Sequence, residues 1–187
     1  SIPTTPDGFL KSLIDLQRFD KDTWCEVRYS DTQKLYNHAP GFTELEINEE
    51  VKAYDTSRHL THSDKSYAAF TFCILKQKES FINGVRNLMS WSKSSEASLN
   101  VLGEKIEEIF LKGDFHKTSS DLLQLACGHR AESIELRRDV ILKCVRDPLV
   151  RSALNRVPPS STHIFNSEKF TAVLEKGGGV RKTFWPV

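Results

Sequence analysis

Residues 97–157 read ASLNVLGEKIEEIFLKGDFHKTSSDLLQLACGHRAESIELRRDVILKCVRDPLVRSALNRV, and no other stretch of the chain has so regular an apolar period. Leu99, Leu102, Ile106, Ile109 and Phe110 recur at spacings of three and four, which is one stripe of a helix. Ser94 and Ser95 precede it as capping residues, and Gly113 stands just past its end. A second helix is expected from Thr118 to a stop at Gly128, carried by Leu122, Leu123, Leu125 and Ala126. A third runs from Ala131 to Arg146 on Ile134, Leu136, Val140, Ile141, Cys144 and Val145. A fourth opens at Asp147-Pro148, a cap followed by proline at the first helical position, and Pro158-Pro159 ends it. Short helices joined by short loops pack antiparallel on their neighbours. The expected fold is therefore mainly α, an irregular helical bundle or a short helical array.

The run Asp147-Pro148-Leu149-Val150-Arg151-Ser152-Ala153-Leu154 resembles the opening of the second helix of a HEAT-type repeat. There an aspartate, a valine-arginine pair and small apolar residues recur. The resemblance covers about a dozen residues and has no second copy at a fixed period. It implies a HEAT/armadillo-like stack of helices.

Outward from this stretch, residues 66–91 are the most apolar part of the chain. Phe70, Ile74, Phe81, Val85, Leu88 and Met89 are the expected core of a helix pair, with a break near Gly84. Asp55 to Lys65, with His59 and His62, reads as a polar loop, and Asp64 as a cap for the helix beyond it. The first third of the chain is less regular. Phe9 to Leu16 suits a short helix, and Tyr36 to Pro40 a turn. The alternation from Trp24 to Tyr29 suggests a strand or an extended arm. Glu44 to Asn48 reads as strand or as the start of a helix to Tyr54, so a small β-hairpin near the N-terminus is expected. Ser167 to Lys176 is a last helix, closed by Gly177, Gly178 and Gly179.

The 187 residues fit one globular domain, 1–187, with an acidic portion 1–64, a helical core 65–176 and a tail 177–187. The ends, Ser1 and Val187, suggest a fragment of a larger protein. Residues 1–55 hold six basic and eleven acidic side chains, and residues 56–187 twenty and fourteen. Such a split orients a molecule toward charged partners. No apolar run reaches the roughly 20 residues a bilayer demands, so no membrane partner is expected. Cys25, Cys73, Cys127 and Cys144 lack a disulfide-framework spacing, which points to an intracellular compartment, nucleus or cytoplasm.

Chemistry leaves few traces. His59 with His62, and Cys127 with His129, lack the four-ligand spacing of zinc sites, so no metal is expected. No GxSxG elbow is present. Cys127 sits near the end of a predicted helix, where the dipole disfavours a thiolate. The triple glycine before Arg181 and Lys182 has no strand before it and no helix after it, unlike a P-loop. No cofactor and no catalytic residue are expected, and the chain reads as a non-enzyme. Two surfaces remain. Arg181, Lys182, Phe184 and Trp185 combine residue types enriched at binding hot spots, and suit a protein partner met in a helical groove of a scaffold domain. Arg130, Arg137, Arg138, Lys143, Arg151 and Arg156 lie on adjacent helices and would suit RNA or DNA, although Glu132, Glu135, Asp139 and Asp147 are interleaved. Self-association through an apolar helix face fits the same pattern.

Overall fold

The structure is a computed structural model that describes residues 2–186. It is mainly helical, and no sheet forms among the described residues. In chain order the α-helices are α1 (Asp7–Gln17), α2 (Ser30–Tyr36), α3 (Arg58–Ser92), α4 (Leu102–Ile106), α5 (Asp114–Leu142), α6 (Pro148–Asn155), α7 (Ser167–Lys176) and α8 (Val180–Thr183). Short 3-10 turns cover Asp22–Glu26 and Glu49–Tyr54, and a π-helical turn covers Glu107–Leu111. A helical bundle is thus the right fold class, but no strands pair into a hairpin among the described residues of its N-terminal third. Trp24 to Glu26 close a 3-10 turn in place of a strand, and residues 44–48 have no regular structure. The β-type pairings are single bridges, His38 with Phe42 and Val145 with Phe184.

The chain forms two compact units: residues 29–126, and residues 1–28 with 127–187. The first unit is built on α3. This helix begins at Arg58, so His59 and His62 are helical rather than in a loop, and it passes through Gly84 without a break. Asp64 lies inside it and accepts a hydrogen bond from the Leu45 amide at 2.8 Å. The residues α3 buries are small: Ser66, Ala69, Cys73 and Gly84. Ile74, Phe81 and Met89, expected in the core, are 51, 48 and 55% exposed. Gly84 shows why. A Cβ there would stand 2.8 Å from Ile109 Cγ2 and 2.8 Å from the Phe110 ring. The π-helical turn therefore lies directly against the backbone of α3, and the absence of a side chain sets the approach. A second cluster joins Tyr36, Ala69, Cys73 and Leu125, with Phe70, Phe72 and Leu122 around it. There Tyr36 Oη donates to Asp121 Oδ2 at 2.6 Å, and the Cys73 thiol donates to the Thr118 carbonyl at 3.6 Å.

The second unit holds the larger core: Leu142, Val145, Leu154, Val157, Phe165 and Leu174, with Phe170, Val173 and Phe184 packed on it. Leu154 and Val145 are fully buried, each contributing about 1.5–3 kcal/mol of apolar burial. The cap read at Asp147 forms, its carboxylate accepting from the Leu149 amide at 2.8 Å with Pro148 next. Asn166 caps α7 in the same manner, through the Lys169 amide. Gly178 and Gly179 both sit at φ +88°, a backbone region that other residues enter at a cost, and this turns the chain into α8. Upstream, the two helices expected on either side of Gly128 are one. Gly128 is buried inside α5, between buried Cys127 and Ala131. A mid-helix glycine costs about 1 kcal/mol, which the packing of its neighbours outweighs. The helix expected from Ser94 starts only at Leu102, and Leu99 is left 89% exposed.

Two measurements check these contacts. Gly84→Val should lower the unfolding free energy by about 1–3 kcal/mol in denaturant titrations, because its added carbons overpack Ile109 and Phe110. Burial pushes the Cys73 thiol up to about 11 from an ordinary 9. The unfolded state then binds fewer protons between pH 9 and 11, so stability falls as pH rises through that window. The stability difference between the natural protein and Cys73→Ala should shift by about 2–3 kcal/mol against the natural protein from pH 8 to pH 11.

Candidate functional site

Of the residues singled out by sequence, the tail forms the best-defined surface. The three glycines reverse the chain, and the tail then returns along residues 144–146. The Arg146 amide donates to the Thr183 carbonyl at 2.9 Å, and the Trp185 amide to the Cys144 carbonyl at 2.8 Å. Arg146 Nε donates to the Phe184 carbonyl at 2.9 Å, and its guanidinium lies 4.6 Å from the centre of the Trp185 ring. Beside this pairing opens a groove of about 730 Å³. Phe170, Leu174, Val180 and Phe184 supply apolar walls, Trp185 and Cys144 border them, and Arg146 and Arg181 add positive charge. Among the described residues no acidic side chain lines it. Phe184 folds onto the core while Trp185 stays 57% exposed, so the two aromatics divide into a structural and a presented residue. Lys182 is exposed and packs its stem against Gly178, away from the groove lining. Sequence reasoning missed Arg146 as a member of this surface, because its link to the tail is a pairing over nearly forty residues.

The six basic residues read as a nucleic-acid surface separate into different places. Arg138 leaves the surface altogether, being 1% exposed. Its Nη1 donates to the Ile164 carbonyl at 3.0 Å, and its Nη2 to the carbonyls of Asn155 at 2.9 Å and Leu154 at 3.4 Å. The guanidinium carbon lies over two rings, 4.4 Å from the centre of Trp24 and 4.1 Å from that of Phe165. Burial pulls it down from the usual arginine value to about 10, so it remains charged at neutral pH. Glu135, interleaved with these cations in sequence, pairs with Arg28. Arg130 and Arg137 border one pocket, and Lys143 and Arg151 another, where Asp139 also contributes. Arg151 Nη2 donates to the Val145 carbonyl at 2.7 Å, and Arg156 is exposed outside both.

The remaining chemistry is plain. Among the described residues no three acidic, histidine or cysteine side chains gather as a metal site, and no helix is long and apolar enough to cross a membrane. Cys127 is buried, and desolvation raises its thiol above the ordinary value, so it is poorly placed as a nucleophile. Comparison with family models, curated proteins and solved structures gives no match for this chain. Nothing in the order of its helices identifies a HEAT or armadillo repeat.

Arg138 can be tested against its neighbour on the same helix. Arg138→Met removes the guanidinium's bonds to three backbone carbonyls, of which only that of Leu154 is also bonded by the Val157 amide, and should lower the unfolding free energy by about 3 kcal/mol. Arg137→Met, on an exposed side chain, should stay within about 0.5 kcal/mol of the natural protein. Equal effects in thermal or urea unfolding would contradict the assignment.

Proposed function

We propose that this chain is a non-enzymatic protein-interaction domain of an intracellular protein, nuclear or cytoplasmic, and that its groove takes a short partner segment with an apolar anchor and acidic flanks. The observation that carries the reading is the groove beside Trp185. Apolar side chains from α7, α8 and the tail converge there, two arginines border it, and no acidic side chain among the described residues opposes them. Apolar anchors in a pocket with a charged rim are a recurrent mode of peptide recognition. Trp185 has the character of a hot spot: a large ring, half exposed, held by backbone pairing and stacked on Arg146. The arginines contribute selection for acidic flanks and a salt-dependent association rate.

The test uses arrays of 12-residue peptides that vary in apolar and acidic content, with the best binders remeasured in solution. Peptides joining one or two large apolar residues to aspartate or glutamate should bind, and binding should weaken at high salt. Trp185→Ala should reduce affinity at least tenfold, and Arg181→Glu should reduce it selectively for acidic peptides. Binders whose affinity ignores both substitutions would overturn the reading.

A further inference from the structure

A second pocket, of about 210 Å³, lies elsewhere in the same unit and does not depend on the groove. It opens between α5 and the loop from Pro159 to Ile164. Its floor is apolar, made by Phe19 and Ile134, which are 3 and 8% exposed. Arg130 and Arg137 reach it from α5, seven residues apart, and so stand on one helix face about 10.5 Å apart along the axis. Among the described residues neither is ion-paired, whereas Arg18 and Arg28 each close on a glutamate. The Arg130 guanidinium rests 5.5 Å from the centre of the Phe19 ring, which orients it while leaving its N–H edge for another acceptor.

The opposite wall is a loop ordered by its own hydrogen bonds. The Ser160 amide donates to the His163 carbonyl at 2.9 Å. Ser160 Oγ accepts from the amides of Thr162 at 3.3 Å and His163 at 3.0 Å. Both shoulders of the loop are anchored: the Asp20 amide donates to the Pro159 carbonyl, and the Asn166 amide to the Pro158 carbonyl, each at 2.7 Å. Thr162 Oγ1 meets His163 Nδ1 at 2.8 Å, and the tautomer in which Nδ1 accepts carries its N–H at Nε2. Among the described residues no carboxylate lines the pocket. Asp20, beside Pro159, has one carboxylate oxygen engaged by Asn166 Nδ2 at 2.8 Å.

We propose that this pocket is a binding site for a phosphomonoester, held by Arg130 and Arg137 from one side and by the Ser160–His163 loop from the other. A phosphomonoester carries about −1.5 to −2 charge at neutral pH and presents three acceptor oxygens, which suits two bidentate guanidinium donors. The size and isolation of the pocket favour a single terminal phosphate over a nucleic-acid strand. A strand needs a run of cations to follow its backbone. Here Arg138 is buried, and Lys143 and Arg151 belong to a different pocket that contains Asp139.

The experiment titrates the full chain, followed by NMR amide shifts, with three probes: inorganic phosphate, a capped Ala-Ala-phosphoserine-Ala-Ala peptide, and dimethyl phosphate as a diester. Saturable binding of the first two, with shifts centred on residues 130–137 and 160–164, is expected. Tighter binding of the peptide would assign the phosphate to a modified protein side chain, and equal or tighter binding of inorganic phosphate would assign it to a small molecule. Arg130→Gln and Arg137→Gln should each weaken binding about tenfold or more. Lys182→Gln, remote from this pocket, should leave it unchanged. Non-saturable shifts, equal binding of dimethyl phosphate, or indifference to both arginine substitutions would overturn the proposal.

Discussion

The second unit depends on a buried cation. Arg138 reaches from α5 into the core and meets the carbonyls of Leu154 and Asn155 at the end of α6, and of Ile164 in the loop that leads to α7. The last carbonyls of a helix lack partners within it and carry partial negative charge. One guanidinium answers both needs, and its planar fork suits several acceptors at once. The guanidinium lies over the rings of both Trp24 and Phe165, so the N-terminal segment and the loop before α7 are fixed by the same group. An uncompensated charge in this position would be strongly destabilising. The bonds to oxygen and the two ring faces are what make it tolerable.

Both candidate sites inherit their geometry from that arrangement. The pocket flanked by Arg130 and Arg137 borders the loop whose Ile164 carbonyl Arg138 holds. The groove beside Trp185 is built on α7 and the tail, and α7 packs on α6, whose last residues Arg138 also holds. In the other unit the governing constraint is different. It is the smallness of Ala69, Cys73 and Gly84, the residues that α3 buries most fully, while Ile74, Phe81 and Met89 of that helix stay about half exposed.

Some of this is legible in the sequence because it is local. Asp147-Pro148 and the run of glycines from Gly177 act within a few residues, and the structure has a capped helix start and a helix stop where they stand. Gly84 and Gly128 read as breaks because a glycine penalty is visible locally, while the contacts that outweigh it are not. The core of α3 misleads for a related reason. Hydrophobic size suggests burial, but close approach selects the small face. Arg138 does leave a signal. Ala131, Ile134, Leu142 and Val145 are buried at helical spacing, and Arg138 falls between them on the same stripe. Arginine is so seldom buried that composition argues against its position, and position is the better guide. The tail against residues 144–146 is a long-range pairing, and nothing local announces it.

Arg138 acts as a fixed, charged clamp inside the second unit. Side-chain NMR of uniformly labelled protein tests it directly, by recording the guanidinium protons of all arginines at neutral pH. One arginine should show resolved Nη protons in slow exchange with water, shifted upfield by the ring currents of Trp24 and Phe165 and absent from spectra of Arg138→Met. A single averaged set of arginine signals in fast exchange, unchanged by that substitution, would contradict it.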